Sequence, residues 1–323
     1  MALKPEKETI IVVCGPTGIG KTSTAIKIAE AENGEIVGAD SMQIYRHMNI
    51  GTAKPTEAER ARAVHHLIDV VNPDEDFDAA KFSEMAGRVI ADIAGRGALP
   101  VVAGGTGLYI KSLTRGLFHS VAGDREIRKR LRGEAGEKGI ETLYRELEKI
   151  DPQTAARVHR NDTYRILRAL EVYKTTGRTM RELQVEHGFA EEKYRCLKIG
   201  LTMDRDRLYE RINRRVDAMV AQGLEEEVRG LLEMGYAPEL KAMQSIGYRH
   251  MVACITGKIE RGEMLATLKR DTRRYAKRQF TWFRADPAVH WFKPGETEKI
   301  LALVSDFLDK GRRQGLLVPK VRD

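Results

Sequence analysis

This chain of 323 residues is poor in the features that would place it outside a reducing aqueous compartment. It has three cysteines, Cys14, Cys196 and Cys254, too few and too scattered for a disulfide framework or a cysteine zinc site. No stretch approaches the roughly 18 apolar residues a membrane-spanning helix needs. The first residues, Met-Ala-Leu-Lys-Pro-Glu-Lys-Glu, lack the apolar centre of a secretory leader. Aromatics make up only 6% of the chain, and no repeat or low-complexity tract is visible. A cytoplasmic protein without membrane attachment is expected. Hydrophobic residues reach 42% and charged ones 32%, enough apolar content for a real core. Lys plus Arg number 55 against 47 Asp plus Glu, a net +8 that hints only weakly at a polyanionic partner.

Short apolar runs alternate with helical patterns in the first third. Thr9–Cys14, Glu35–Ala39, His66–Val71 and Leu99–Ala103 read as strands, and Thr22–Ala31 and Ala79–Arg96 as helices. This alternation predicts an α/β fold, a parallel sheet flanked by helices. From Asp124 to Glu192 apolar residues recur at helical spacing only, as in Leu143, Leu147 and then Ile166, Leu167, Leu170, so an inserted all-helical domain is expected. Cys196–Leu201 returns to the sheet. Helices follow over Arg205–Met234, Ser245–Thr256 and Glu263–Arg284, then a strand over Val289–Phe292 and a last helix. Residues 1–120 and 196–323 thus form the core and 121–195 the insertion.

Gly15-Pro16-Thr17-Gly18-Ile19-Gly20-Lys21-Thr22 fits the phosphate-loop pattern G-x-x-x-x-G-K-[ST], with a strand before it and a helix after. Its glycines let backbone N–H groups converge on a phosphate at the positive end of a helix. Lys21 adds a point charge, and the Thr22 hydroxyl can hold Mg²⁺. The loop specifies a diphosphate or triphosphate, not ATP in particular. The strand Leu99–Ala103 ends in Gly104-Gly105-Thr106-Gly107 rather than in an acid, which disfavours a motor ATPase. Asp40 closes the second strand at the sheet end where active sites lie. Asp40 is either a general base or the cap of a following helix, and Thr106 either a working hydroxyl or a turn filler.

Lys269–Arg284 holds seven basic residues and one acid, Asp271, with Tyr275, Phe280, Trp282 and Phe283 interleaved. At about 100° per residue, Arg270, Arg273, Arg274, Lys277, Arg278 and Arg284 share roughly 140° of one helix face. That is either a solvated basic face or a phosphate-backbone footprint. His65-His66 lacks a third metal ligand, and Asp74, Glu75, Asp76 and Asp78 read as a solvated loop. A small-molecule kinase using ATP on the same loop and a non-catalytic or ATP-switched RNA-binding module are both open on these features.

Gly15–Thr22, Ala39-Asp40-Ser41-Met42-Gln43-Ile44-Tyr45, Ile50-Gly51-Thr52-Ala53-Lys54-Pro55, Gly104–Tyr109, Met243–Arg249 and Lys277–Arg284 occur in an order that closely resembles the tRNA dimethylallyltransferase family. The resemblance covers nearly the whole chain, with Ile19 departing from the family's usual small or hydroxyl residue. It implies transfer of a dimethylallyl group from dimethylallyl diphosphate to N6 of the adenosine 3′ to the anticodon, with Mg²⁺, by a monomer. It implies Asp40 and Thr106 as catalytic residues, and Gly15, Pro16, Thr17, Gly18, Ile19, Gly20, Lys21 and Thr22 as the diphosphate cradle. For the tRNA anticodon stem-loop it implies Asp40, Ser41, Met42, Gln43, Thr106 and Arg128, then Tyr164, Arg165, Ile166, Leu167 and Arg168. It adds Gln244, Ser245, Ile246, Gly247, Tyr248 and Arg249, and Lys277, Arg278, Gln279, Phe280, Thr281, Trp282, Phe283 and Arg284. The helical insertion is then expected to clamp the anticodon arm.

Overall fold

A computed structural model describes residues 7–116, 125–187 and 192–313. The chain starts with β1 (Thr9–Cys14), α1 (Lys21–Glu32), β2 (Gly34–Gly38), α2 (Glu57–Arg62), β3 (His65–His66), α3 (Ala79–Gly95), β4 (Leu99–Gly104) and α4 (Gly107–Arg115). Five helices follow: α5 (Arg125–Lys138), α6 (Ile140–Ile150), α7 (Pro152–Ala155), α8 (Thr163–Thr176) and α9 (Met180–His187). Then come β5 (Arg195–Leu201), α10 (Arg205–Ala221), α11 (Leu224–Glu233), α12 (Tyr248–Ile255), α13 (Arg261–Arg284), β6 (Val289–Phe292) and α14 (Thr297–Arg313).

The six strands form one sheet in the order β3-β2-β4-β1-β5-β6, parallel at every pairing. All six residues of β1 are buried, as a central strand covered on both faces requires. Ile11 and Val13 pack into one cluster with Ile26 and Ile28 of α1 and Ile300, Val304 and Leu308 of α14. Their neighbours Ile10 and Val12 point to the opposite face, and α3 packs on β2 and β4. The expected parallel sheet with flanking helices is what forms.

By contacts the chain divides into two compact units, residues 1–114 with 193–323, and residues 115–192. The second has its own core of Leu131, Leu143, Leu147, Ile166 and Leu170.

Three expected elements change. Of the run His66–Val71 only His66 joins the sheet, as half of the two-residue β3, because Leu67 and Asp69 both take φ 58°, which no extended strand allows. Val71 instead bridges Tyr45 and helps wrap the 40–46 turn. The helix expected over Arg205–Met234 breaks at Gly223, whose φ of 99° ends one helix and turns the chain into the next. The helix expected from Ser245 starts at Tyr248, after Gly247. Two short helices, α2 and α4, were not anticipated. The first carries a complete capping box in which Thr56 and Glu59 satisfy one another's backbone N–H. Asp78, read as a loop acid, caps α3 through Ala80 and Lys81.

A candidate active site at the carboxyl ends of the strands

The phosphate loop leaves β1 at Cys14 and enters α1 at Lys21. Gly15, Gly18 and Gly20 all have positive φ, which L side chains rarely adopt, so the backbone can coil around a ligand at the start of α1. Ile19 turns inward and is fully buried in the core below the loop, so the family departure lies on the side away from ligand. The Lys21 ammonium donates to the Pro16 carbonyl at 2.9 Å. Desolvation pulls it down to about 8, and the neighbouring Arg215 cation adds to that while Asp40 opposes it. Cys14 lies within β1, and burial pushes its thiol up to about 12, an inert core thiol.

Asp40 follows β2 directly. Its Oδ1 accepts the backbone N–H groups of Met42 at 2.9 Å and Gln43 at 3.4 Å, so it caps the 41–44 turn. It also borders two cavities. The larger, about 940 Å³, is lined by Thr17, Gly18, Gly20, Lys21, Thr22, Lys54, Arg60, Asp69, Arg211 and Arg215. The smaller, about 290 Å³, is lined by Ser41, Met42, Ile212, Val216, Gln244–Gly247, Arg249, Leu268 and Arg278. Thr17, Asp40, Thr52, Arg215, Met219 and Tyr275 line both. No helix follows Asp40 directly, so the expected helix cap is a turn cap instead, and with one oxygen holding that turn the residue still borders both chambers.

Thr106 lines neither cavity. Its hydroxyl accepts the Ser41 N–H at 3.0 Å and its own N–H bonds the Ala39 carbonyl at 3.2 Å. This contact needs Gly104, where a Cβ would stand 2.0 Å from the Ala39 carbonyl oxygen. Thr106 thus holds the Asp40–Ser41 backbone in place.

Gln279 does not face outward from the basic helix α13. It is 6% exposed and staples two loops: its Oε1 accepts the Thr17 N–H at 2.8 Å, and its Nε2 donates to the Gly105 carbonyl at 2.9 Å. Tyr248, Phe283, Ile166 and Leu167 are likewise buried and present no surface of their own. Helical periodicity explains this, because each lies on the apolar stripe of its helix. Tyr248 donates to Glu227 at 2.6 Å, and that carboxylate also accepts the backbone N–H groups of Asn49, Ile50 and Gly51. By contrast Lys277, Arg278, Thr281, Trp282 and Arg284 are exposed, as are Gln244, Arg249, Tyr164 and Arg165, while Ser245, Ile246 and Phe280 are half-buried. In the helical unit, Arg128 and Arg168 both donate to the buried Glu171, at 2.9 Å and 3.0 Å.

Sequence reading missed Arg211 and Arg215. Both lie on α10, four residues apart and beside its buried stripe Leu208, Ile212, Val216. Burial lowers the Arg215 guanidinium and Asp40 opposes the shift, yet an arginine stays charged at working pH. Two arginines at helical spacing flanking an apolar stripe were the available signal. Among the described residues no three His, Cys, Asp or Glu cluster as metal ligands. His66 instead meets Glu35 at 2.6 Å, and His65 the Ala63 carbonyl.

Similarity to known proteins extends over nearly the whole chain. The profile of the family described as IPP transferase matches residues 43–286. A tRNA dimethylallyltransferase of Desulfosudis oleivorans is 54% identical over 309 residues, 95% of this chain and 98% of that protein. One from Geobacter metallireducens is 52% identical over 94% of this chain and 98% of its own length. The crystal structure of the tRNA isopentenylpyrophosphate transferase of Bacillus halodurans superposes with a TM-score of 0.72 at 39% identity, over 96% of this chain and 99% of that one. A eukaryotic dimethylallyltransferase described as acting on tRNA superposes with a TM-score of 0.81 at 28% identity, over 94% of this chain and 80% of that one. The chain belongs to the IPP transferase family, whose curated members at this similarity are tRNA dimethylallyltransferases.

Proposed function

We propose that this chain transfers the dimethylallyl group of dimethylallyl diphosphate to N6 of the adenosine 3′ to the anticodon in tRNA, releasing diphosphate. The observation that carries this reading is the position of Asp40 at the junction of two chambers, one lined by the phosphate loop and cations, the other leading to Arg249 and Arg278. The names of relatives half identical over nearly the full chain support it.

The N6 amine is a poor nucleophile because its lone pair is delocalised into the ring. Rate must therefore come from the leaving group. As the C1–O bond breaks, its electron pair moves onto the diphosphate, where loop N–H groups, Lys21, Arg211 and Arg215 meet the growing charge. The N6 lone pair forms the new bond to C1, and the N6 proton passes to Asp40 as general base. Thr106 keeps Asp40 in place through the Ser41 backbone. The adenine leaves its stack to reach this point, which costs little in a single-stranded loop.

Thr22 borders the larger cavity and its hydroxyl is a hard oxygen donor. Such a donor suits Mg²⁺, which keeps most of its ligands as water and phosphate oxygens. Such an ion would neutralise charge on the departing diphosphate. On the tRNA side, exposed Lys277, Arg278 and Arg284 of α13 offer phosphate contacts. Tyr164 and Arg165 offer the same kind of surface on the helical unit.

The test is an assay with labelled dimethylallyl diphosphate, Mg²⁺ and an unmodified tRNA with an adenine-rich anticodon loop. Label on tRNA is expected. No label, together with phosphoryl transfer from ATP, refutes the reading. Asp40→Asn keeps the turn cap but not the base, so turnover should drop about 10²–10⁴-fold with tRNA affinity little changed. An unchanged rate removes Asp40 as the base.

A further inference from the structure

Asp271 is the single acid in the basic stretch Lys269–Arg284, and three arginines and one histidine converge on it. Its Oδ2 accepts from Arg249 Nη2 at 2.8 Å and lies 3.2 Å from His250 Nε2. Its Oδ1 accepts from Arg270 Nε at 3.1 Å and lies 3.6 Å from Arg274 Nη1. Its side chain is only 18% exposed, whereas Arg249 is 42% exposed. Burial alone would raise the carboxyl. Hydrogen bonds from Arg270, His250 and Arg249 outweigh that and hold it at about 2, so it stays anionic.

Half-exposed ion pairs of this kind contribute little stability. What the cluster does fix is direction. Of the four partners, Arg249 alone also lines the smaller cavity, with Asp40 and Ser245. Ser245 lines the same wall. Arg249 is tied to that wall a second time, because its backbone N–H bonds the Ser245 carbonyl at 3.1 Å.

We infer that Asp271 is a positioning residue that aims the Arg249 guanidinium across the mouth of the smaller cavity, to meet a backbone phosphate of the incoming RNA loop. The carboxylate also occupies Arg270 and Arg274, which would otherwise compete to hold the same phosphates in unproductive registers. Charge is thereby exchanged for geometry: the helix binds RNA less tightly than its arginine count allows, and in one register. The inference rests on the tRNA-modifying reading of the site.

Asp271→Asn keeps the shape and removes the charge. Single-turnover transfer at saturating tRNA should fall about tenfold, as expected for a reactant held slightly out of place. Binding should move the other way, with the slope of log K against log salt steepening by about 0.7–1.4 as one or two released arginines find phosphates. A merely structural acid would lower melting temperature, affinity and rate together, and that result overturns the inference. So does an unchanged rate. If Asp271 acts through Arg249, then Arg249→Gln should cost a similar factor and the double variant little more. Full additivity overturns the inference. Arg249→Lys keeps the charge without the fork that Asp271 and a phosphate can share, so it should slow transfer with an unchanged salt slope. Wild-type turnover in that variant overturns the inference even if Asp271→Asn does not fold. Wild-type protein that transfers no label refutes the parent reading. Wild-type transfer with both single variants unchanged refutes this inference alone.

Discussion

At the residue scale, two side chains lead to measurable consequences. Lys21 sits near 8 because desolvation disfavours its charge. A diphosphate binds the ammonium form and raises that value again. Below about pH 8 the charge is already present. Above it, binding must take up a proton, so diphosphate affinity should fall by up to about tenfold per pH unit until the bound lysine itself titrates. Titration calorimetry across pH 7–9.5 checks this, and Lys21→Met should flatten the curve. Gln279 gives the second case. Gln279→Leu leaves the Thr17 N–H and the Gly105 carbonyl without partners, at about 1–3 kcal/mol each if they stay buried. The expected result is weaker diphosphate binding with an unaltered tRNA salt slope. A change confined to the salt slope would instead mean that Gln279 contacts RNA.

At the element scale, α13 shows how one helix serves two purposes. Met264, Leu268, Ala276, Gln279 and Phe283 form its buried stripe, and the basic residues occupy the rest of its circumference. The sequence shows the basic arc clearly, because charge falls at helical spacing with one acid in sixteen residues. It does not show that Asp271 gathers part of that arc, since Arg249 and His250 arrive from α12. Lys277 and Arg284 lie apart from the cluster and are exposed. Reversing both to Glu should weaken tRNA binding and flatten log K against log salt by about 0.7–0.9 per lost phosphate contact, with diphosphate affinity intact. Filter binding from 50 to 300 mM salt (roughly the range in which such slopes are read) tests this, and equal slopes would exclude the surface. Element ends followed a similar rule. The strand Thr9–Cys14 was legible to the residue because it is a continuous apolar run between polar flanks. His66–Val71 was not, because an apolar run does not reveal the two left-handed residues that bend it.

At the scale of the whole molecule, each unit carries its own core. Leu170 is fully buried in the helical unit. Leu170→Ala should cost about 2–5 kcal/mol there, weaken tRNA binding and leave diphosphate binding at the phosphate loop unchanged. A matching loss of diphosphate affinity would show that the two units do not behave separately. Parallel strand alternation, the phosphate loop, the family motifs and the all-helical middle segment are local or periodic patterns, so the sequence by itself determined them. Convergence was decided only in three dimensions. Asp40 and Arg215 are 175 positions apart, yet they share both chambers. Gln279 reaches 262 positions back to Thr17. Thr106 supports Asp40 through the Ser41 backbone rather than entering the cavity. Such relations depend on which face of each helix is buried and where each strand ends in the sheet. Packing resolves both, because a polar group buried in the core must find its partner wherever the chain brings one.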